Sequence, residues 1–288
     1  MKKILITGKG SYIGTHFKKY LEQWPDQYMV EELDMMNPSW REYDFSNYDV
    51  VYHVAGLAHS TPDESQRELY YHVNTDLVYE TARIAKNSGV KQFIFMSSII
   101  VYGSGEVGKD RVITKNTPLT PDNFYGDSKK QAEIKLERLQ EEHFKIVILR
   151  PPMIYGPNSK GNYPMLAKLA RKTPIFPNIK NQRSMLYVGN LVEFVRLMIE
   201  NDENGIFLPQ NDEYTCTTEL VKEIAKIHNH KIWFTSLLNP LIGLLKNETH
   251  INKMFGNLTI DKSLSDYTEN YCKYTLANSF LKSEEKFL

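Results

Sequence analysis

A tyrosine and a lysine that could together move a proton lie four positions apart, at Tyr125 and Lys129. Residues i and i+4 of a helix share a face, so the ammonium would lie beside the phenol. The charge favours the phenolate, and we expect the pKa of the Tyr125 phenol to fall below its usual value of about 10. Such a phenol could take a proton from a hydroxyl, or return one, while a hydride moves at the same carbon. The pair also fits an ordinary solvated helix surface, so its surroundings must decide.

The elements around this pair alternate between strand and helix. Apolar runs predict strands at 4–6, 29–33, 49–54, 92–96, 145–149 and 205–208, and periodic apolar positions predict helices at 12–24, 76–88, 125–142, 190–200 and 218–228. That order predicts an α/β fold with a Rossmann-type, doubly wound parallel sheet. Beyond Pro151, repeated prolines indicate loops and short helices in a small C-terminal lobe.

The turn after the first predicted strand could bind a pyrophosphate. It contains Gly8, Gly10, Ser11, Tyr12, Ile13 and Gly14, and it leads directly into a helix. A helix N-terminus presents backbone amides and a positive dipole end, and glycines let the backbone approach a ligand closely. From Gly8 onward the motif is Gly-x-x-Ser-x-x-Gly, with Ser11 where a glycine is usual, and a plain tight turn is the alternative.

Two aspartates and a pair of small residues complete the predicted nucleotide site. Asp34 ends the second predicted strand, where a carboxylate can accept hydrogen bonds from ribose hydroxyls and would repel a 2′-phosphate. This favours NAD over NADP as cofactor, although Asp34 also fits a strand-end turn. Asp44 would lie beside the adenine, and Ala55-Gly56 would bring backbone close to the cofactor.

The composition argues against several classes of protein. The 288 residues are 41% hydrophobic and 24% charged, with 35 Lys and Arg against 35 Asp and Glu. Zero net charge gives no global field for nucleic acid or a membrane, and no run approaches the roughly 20 apolar residues of a membrane span. Cys216, Cys272 and the histidines lack metal-ligand spacing, so no metal is expected, and His59 fits a polar loop. Two thiols without a secretory signal indicate a cytoplasmic protein.

Several motifs in a fixed order resemble one family. They are the Thr7-Gly8 turn, Ser97-Ser98 followed by Val101-Tyr102-Gly103, the Tyr125/Lys129 pair, Arg150-Pro151-Pro152 and Tyr155-Gly156-Pro157. Over roughly residues 1–230 the chain resembles the extended short-chain dehydrogenase/reductase family. Within that family it is most similar to the NAD-dependent sugar-nucleotide epimerases and dehydratases, of which UDP-glucose 4-epimerase is the familiar member.

The resemblance implies catalytic roles for three positions and matches a fourth, Asn74, that is structural as much as functional. Ser98 would orient the substrate hydroxyl, and Tyr125 would act as acid and base. Lys129 would bind the nicotinamide ribose and lower the pKa of the tyrosine, and Asn74 matches an asparagine of the central helix.

The resemblance also implies binding residues. Pro152 falls where the chain passes the nicotinamide, Arg183 would contact the diphosphate of a sugar nucleotide, and Asn162 would hydrogen-bond the nucleotide. One departure is informative, because the 4,6-dehydratases of the family carry an Asp-Glu pair where this chain has Ile99 and Ile100. Isoleucines cannot move protons, which disfavours a dehydratase.

The sequence therefore predicts an NAD-dependent epimerase of a nucleotide-linked hexose, similar to UDP-sugar 4-epimerases and working through a transient 4-keto intermediate. A 4-keto-sugar-nucleotide reductase using NAD(P)H shares every residue above and stays open, and a non-catalytic nucleotide-sensing protein is a third interpretation. We expect 1–150 to form the NAD-binding domain, with later segments returning to it, and 151–288 to form mainly the substrate lobe. The expected partners are a nucleotide-sugar substrate and, by resemblance, a second copy of the chain, with no nucleic acid and no membrane.

Overall fold

The computed structural model describes residues 1–58, 63–245 and 248–287, and His59 lies outside these ranges. The chain divides into two compact units that are each discontinuous in sequence. The first unit consists of Met1–Gly103, Leu119–Pro151 and Leu191–Pro209. The second unit consists of Ser104–Pro118, Pro152–Asn190 and Gln210–Leu288. The boundary expected after residue 150 lies beside the observed junction after Pro151, whereas Ser104–Pro118 departs from the expected first domain.

The strands are short, and they include a strand at each of the six predicted positions. They are β1 Lys2–Thr7, β2 Tyr28–Leu33, β3 Val50–His53, β4 Gln92–Met96, β5 Val112–Ile113, β6 Lys145–Leu149, β7 Met153–Tyr155, β8 Ile175–Pro177, β9 Met185–Tyr187, β10 Gly205–Phe207, β11 Trp233–Thr235 and β12 Thr259–Ile260.

The helices lie between these strands and in the C-terminal part of the chain. They are α1 Tyr12–Leu21, α2 Arg67–Tyr71, α3 Leu77–Asn87, α4 Phe124–Glu137, α5 Asn162–Lys172, α6 Val188–Glu200, α7 Thr217–Ile227, α8 Asn239–Leu244, α9 Thr249–Phe255 and α10 Leu276–Glu284. Within the described ranges, no helix has both the length and the apolar character needed to cross a bilayer.

A six-stranded parallel sheet forms the centre of the first unit, in the order β10-β6-β4-β3-β1-β2. From β1 the chain proceeds first to β2 on one side and then to β3 on the other, so the strand order reverses between β1 and β3. In open α/β sheets, ligands bind at the carboxyl ends of the strands at such a reversal. The Rossmann-type fold predicted from the sequence is therefore confirmed.

The central strands lie in the core, which is why their sequences are continuous apolar runs. Parallel strands are covered on both faces, and β4 is accordingly buried along its whole length. Side chains such as Leu5, Val51 and Phe93 pack with Ala82 of α3 and Leu136 of α4 in one cluster. Continuous apolar runs of strand length were the signal that located β1, β4 and β6.

Two predicted helices need correction. Helix α4 ends at Glu137 rather than at residue 142, because the chain turns there and Glu141 bridges to Phe144 in an antiparallel pair. The helix predicted from residue 76 begins earlier, at Arg67, and includes the π-helical turn His72–Asp76 between α2 and α3. A π-helical turn has no signature in apolar periodicity, and such turns are frequent at functional sites.

The second unit contains small sheets and short helices. Its strands pair as β7 with β9, β8 with β11 and β5 with β12, each pair parallel. Helix α7 packs against α5 and α10. The small pairs match the loosened pattern expected beyond Pro151.

Substituting Gly8 by alanine should destabilise the protein far more than substituting Gly10. Both residues have positive φ, 127° and 70°, but only a Cβ on Gly8 would collide with backbone, at 2.9 Å from the Ala55 nitrogen. We expect Gly10→Ala to cost about 1 kcal/mol of unfolding free energy and Gly8→Ala roughly 3 kcal/mol or more. Urea unfolding of both variants measures the difference, and equal losses would contradict the close approach of the two segments.

Candidate active site

The first turn of α1 is built as the glycine motif predicted. Ser11 caps the helix, with its Oγ accepting a hydrogen bond from the Gly14 amide at 3.2 Å. A Cβ on Gly14 would lie 2.9 Å from a methyl carbon of Ile6, so this glycine lets α1 pack against β1. The turn places Tyr12 and Ile13 in the first turn of the helix, at its positive dipole end. Ser11 thus replaces the usual glycine as a capping residue.

Two acidic residues lie near this turn, Glu32 and Asp34, and they have different hydrogen-bond partners. The Gly10 amide donates to Oε1 of Glu32 at 3.1 Å, and Lys18 lies 3.3 Å from the other oxygen of the same carboxylate. Asp34 is exposed and accepts a hydrogen bond from the Met36 amide at 2.9 Å, the geometry of a strand-end turn. The sequence identified Asp34 and missed Glu32, whose position inside β2 resembles an ordinary exposed strand residue.

Asp44 lies at the start of a short 3₁₀ turn, Phe45–Asn47. Its carboxylate accepts hydrogen bonds from the amide and hydroxyl of Ser46 and from the side chain of Asn47, at 2.9, 2.6 and 2.9 Å. The bonds from Ser46 lower the pKa of the Asp44 carboxyl. The structure gives this residue a local capping role, and its place beside an adenine stays a prediction.

Asn74, in the π-helical turn, fixes the loop that follows β3. Its side chain accepts from the Leu57 amide at 2.8 Å, and donates to the Leu57 carbonyl at 3.1 Å and to Ser128 Oγ at 3.2 Å. Ala55, in the same loop, donates its amide to the Thr7 carbonyl at 2.9 Å. The π-helical turn therefore aims an amide side chain at both the Ala55-Gly56 loop and α4.

Ser98 and Tyr125 meet because a glycine brings two elements together. Ser98 caps the 3₁₀ turn Ile99–Tyr102, and α4 begins one residue before Tyr125. A Cβ on Gly126 would lie 2.8 Å from the Ile100 carbonyl oxygen, so only a glycine allows α4 to lie this close to the turn. In this arrangement the Ser98 hydroxyl hydrogen-bonds the phenol of Tyr125.

The expected fall in the pKa of Tyr125 is not found, and the direction is the opposite. Burial raises the pKa of Tyr125 to about 12, while the hydrogen bond from Ser98 lowers it and the nearby Tyr70 raises it. The physical reason lies in the position of the Lys129 ammonium, which donates to the Met96 carbonyl at 2.9 Å rather than to the phenol. In this structure Tyr125 is a protonated phenol at neutral pH.

Lys129 is a buried cation at the carboxyl edge of the sheet. Its ammonium lies 4.7 Å from the centre of the Phe95 ring, and a Cβ on Gly56 would be 3.2 Å from it. Burial lowers the pKa of Lys129 to about 8, while the Glu133 carboxylate raises it. The ammonium is therefore charged at neutral pH and faces both the end of β4 and the loop after β3.

A buried polar network lies next to Lys129 and Ser98. Glu133, one turn after Lys129 on α4, forms an ion pair with Arg150, whose Nη2 lies 2.6 Å from its Oε2. Glu133 also accepts from the Ser97 hydroxyl, and Arg150 donates to the Tyr102 hydroxyl at 2.7 Å. From the sequence, Arg150 is visible only as part of a motif, and Glu133 is not predicted, although its spacing of four from Lys129 is a usable signal.

The remaining candidates lie in the second unit, around the end of α9. Arg183 donates from Nη1 to the carbonyls of Asn252 and Gly256 at 3.2 and 2.9 Å, and Asn162 donates to the Lys253 carbonyl at 3.3 Å. Arg183, Lys253 and Thr215 line a small pocket together with Met153, Leu166, Met185, Thr217, Leu220 and Met254.

Within that pocket, burial lowers the pKa of Arg183 to about 10, which leaves it charged at neutral pH. Its buried Nε and the buried Thr215 Oγ1 have no hydrogen-bond partner among the described residues. Lys253 also lines this pocket, which is too narrow to hold a water molecule. Pro152 is buried at the start of the second unit.

The structure thus brings together Gly56, Ser98, Tyr125 and Lys129 at one edge of the sheet, with the turn of α1 beside them. The dehydratase positions hold Ile99, which is buried, and Ile100, and neither can transfer a proton. Among the described residues no group of three or more His, Cys, Asp or Glu side chains could hold a metal ion.

The matching family model is that of the NAD dependent epimerase/dehydratase family, and it covers residues 4–208. The chain is 31% identical to a UDP-glucose 4-epimerase of Vibrio cholerae, over 100% of this chain and 96% of that protein. The chain belongs to the NAD dependent epimerase/dehydratase family, which confirms the family and the enzyme class predicted from the motifs. It also agrees with the expectation of NAD as cofactor.

Two further similarities are informative. An N-acetyl-α-D-glucosaminyl-diphospho-ditrans,octacis-undecaprenol 4-epimerase of Escherichia coli O157:H7 is 30% identical over 84% of this chain and 77% of its own length. The crystal structure of a UDP-glucose 4-epimerase from Thermus thermophilus in complex with NAD superposes with a TM-score of 0.76, at 18% identity, over 99% of this chain and 98% of that chain. At that identity the superposition supports the fold alone.

Replacing Lys129 by methionine should stabilise the protein at neutral pH. The native pKa of about 8 lies below the model-peptide value of 10.5, so burial opposes the charged form by an amount on the order of 3 kcal/mol at pH 7. The unfolded chain binds the proton more tightly, so this penalty is full below pH 8 and disappears above about pH 10.5. We expect Lys129→Met to have the higher melting temperature at pH 7 and a smaller advantage at pH 10.

The control for this measurement is the neighbouring residue Lys130. Its ammonium is on the same helix and donates to the Leu119 carbonyl at 2.9 Å. Lys130→Met should show no such gain at pH 7. A lower melting temperature for Lys129→Met at pH 7 would show that the Met96 and Phe95 contacts outweigh the cost of burying the charge.

Proposed function

We propose that the protein catalyses the reversible inversion of C4 in a nucleotide-linked hexose, with NAD as its cofactor. The observation that carries the proposal is the convergence of Ser98, Tyr125 and Lys129 at the carboxyl edge of the parallel sheet. The glycine turn of α1 also supports a dinucleotide site, because Gly8 and Gly14 let the turn pack closely on the loop after β3 and on β1, where a Cβ would lie 2.9 Å from atoms of Ala55 and Ile6.

The residues that would hold the cofactor follow from these positions. The first turn of α1 would bind its pyrophosphate, Asp34 its adenine ribose, and Lys129 its nicotinamide ribose. NAD would supply a hydride acceptor that later returns the hydride, so that no net oxidation of the sugar occurs. Asp34 would also exclude a 2′-phosphate by repulsion.

The protein's own residues would move the proton. Ser98 holds the C4 hydroxyl against Tyr125, and the Tyr125 oxygen takes the hydroxyl proton as the C4 carbonyl forms. The same oxygen returns the proton once hydride reaches the opposite face of the sugar. The hydrogen bond from Ser98 favours the phenolate and opposes the rise in the pKa of Tyr125 that burial causes.

Arg183 would contact the diphosphate of the substrate in the second unit. Its charged guanidinium suits an anion, and its Nε and the Thr215 hydroxyl have no partner among the described residues, so a diphosphate that widened the narrow pocket would find both. The contacts of Arg183 do not identify the group that the diphosphate links to the sugar. A polyprenol in place of the nucleoside is the second candidate, favoured by the similarity to the undecaprenol-linked sugar epimerase over 84% of this chain.

A homodimer through the α3 and α4 surfaces remains part of the proposal.

The experiment is a substrate panel read by proton NMR of the sugar ring. The panel contains UDP-glucose, UDP-galactose, their N-acetylated forms and a polyprenyl-diphospho-N-acetylglucosamine, each with and without added NAD. We expect one substrate pair to reach a C4-epimer equilibrium with no net change in NADH absorbance. Stoichiometric consumption of NAD(P)H with a 4-keto sugar, and no epimer, would instead identify a reductase.

Tyr125→Phe should lower kcat by roughly 10²- to 10⁴-fold with little change in KM, because the variant keeps the ring and loses the proton. Tyr71→Phe is the matched control. Tyr71 lies on the neighbouring α2, and its hydroxyl donates to Asp127 at 2.5 Å, so its loss should leave kcat within a few-fold. Normal turnover by Tyr125→Phe would refute the mechanism.

Ser98→Ala should move the pH dependence of kcat/KM to higher pH. The hydrogen bond from Ser98 lowers the pKa of Tyr125, so removing it raises that pKa further and leaves less phenolate at a given pH. Activity at pH 7 should fall by about 10²-fold and recover partly as the pH rises, and Ser98→Thr should retain the native profile. A uniform loss at every pH would mean that Ser98 acts only in binding.

A further inference from the structure

An exposed apolar surface in the second unit has no role in the chemistry above. It consists of Trp233, Leu237, Leu241, Leu244 and Leu245, and is called the leucine surface below. Leu237 and Leu244 are each 80% exposed and Trp233 is 63% exposed. The chain continues from β11 through the 3₁₀ turn Ser236–Leu238 into α8, so positions 237, 241, 244 and 245 follow the spacing of one helical face.

The composition of this segment is unusual for an exposed helix. Residues 236–245 read Ser-Leu-Leu-Asn-Pro-Leu-Ile-Gly-Leu-Leu and contain no charged side chain. A surface helix of a globular domain normally carries charged residues on its outer face, and contiguous exposed apolar patches mark interaction sites. The segment is too short to span a bilayer, and a short helix with leucines on one face and a tryptophan at its edge is typical of the membrane interface.

The surroundings of the leucine surface are basic. Strand β8 pairs with β11, and the exposed Lys172 and Lys180 flank β8 while the exposed Lys231 precedes β11. Asn239, at the start of α8, donates to the carbonyl of Asn178, two residues from Lys180. No Asp or Glu occurs in residues 152–190 or 224–245, and Lys222 of α7, which lies over the Phe234 ring of β11, is paired with Glu219.

The zero net charge of the whole chain does not reveal that the two units differ in charge. The second unit carries 18 Lys and Arg against 12 Asp and Glu, whereas the first unit carries 17 against 23. The expectation that no membrane partner exists rested on the zero total. The two units taken separately have net charges of +6 and −6, and the positive unit is the one that bears the leucine surface.

We infer that the leucine surface docks on an anionic lipid bilayer. The leucines and Trp233 would enter the headgroup region, and the three lysines would contact anionic headgroups. The charges disfavour a second copy of the chain as the occupant, because a symmetric contact places each surface against itself and would bring the two sets of lysines together. The inference does not depend on the proposed reaction, since no residue of the candidate active site takes part.

The test is flotation of the full chain with vesicles, in the absence of any sugar substrate. We expect binding to vesicles of phosphatidylglycerol and phosphatidylcholine, much weaker binding to phosphatidylcholine alone, and release at high salt. The emission of Trp233 should shift to shorter wavelength on binding, and Trp233→Phe should remove that shift. The emission of the buried Trp40 should not change on binding.

Three sets of variants separate the contributions. The triple variant Leu237→Ser, Leu241→Ser and Leu244→Ser should lower the partition coefficient about ten-fold or more. The triple variant Lys172→Gln, Lys180→Gln and Lys231→Gln should abolish the preference for phosphatidylglycerol. The control is Met36→Ser with Leu69→Ser, two exposed apolar residues of the first unit, which should bind like the unchanged protein.

Because every altered side chain is exposed, melting temperatures should stay equal and unfolding cannot explain a loss. The inference is overturned if the unchanged protein does not float with anionic vesicles, or if the leucine variant floats equally well. It is also overturned if sedimentation without lipid shows that the leucine variant turns a dimer into a monomer while vesicle binding is unchanged, since the surface would then belong to a second copy.

Discussion

The arrangement of the first unit depends on one buried cation. An isolated ammonium in a protein interior is costly, so the surrounding fold must supply compensating groups. For Lys129 these are the Met96 carbonyl, the face of the Phe95 ring and the carboxylate of Glu133. Since Glu133 is in turn neutralised by Arg150, the ends of β4 and β6 and helix α4 become one electrostatic unit. The same elements form the edge of the sheet at which Tyr125 and Ser98 meet.

Much of the site geometry depends on glycines, which have no side chain and let neighbouring elements pack closely. Gly126 lets α4 approach the turn that holds Ser98, and Gly56 leaves room beside the Lys129 ammonium. Gly14 allows α1 to pack on β1 and so directs the helix dipole at the carboxyl edge. A methyl group on Gly126 would collide with the Ile100 carbonyl and one on Gly14 with Ile6, whereas one on Gly56 would press on the Asn74 and Lys129 side chains. Close backbone approach thus positions the catalytic groups, and Asn74 secures it by bonding the loop after β3 to α4.

The sequence predicted the regular part of this structure well, because buried parallel strands are continuous apolar runs and helix starts carry capping residues. It predicted the wrong direction for the pKa of Tyr125, because spacing places a lysine on the same helix face but does not reveal that its ammonium turns to Met96. The π-helical turn and the role of Glu32 were missed, since both depend on tertiary contacts. The place of Ser104–Pro118 in the second unit could not be derived either, because this segment pairs with β12 through only two residues of strand.

The division of charge bears on how each unit can hold an anionic ligand. The first unit is net negative, so the capped first turn of α1 and its glycines would have to attract the proposed pyrophosphate through local dipoles. The second unit is net positive and offers a charged guanidinium at Arg183, which suits a substrate diphosphate. An epimerase and a reductase of this family need the same proton-transfer groups, so the first unit does not distinguish them. In the proposed reaction, the distinction would depend on whether the sugar can present both faces of C4 to the hydride.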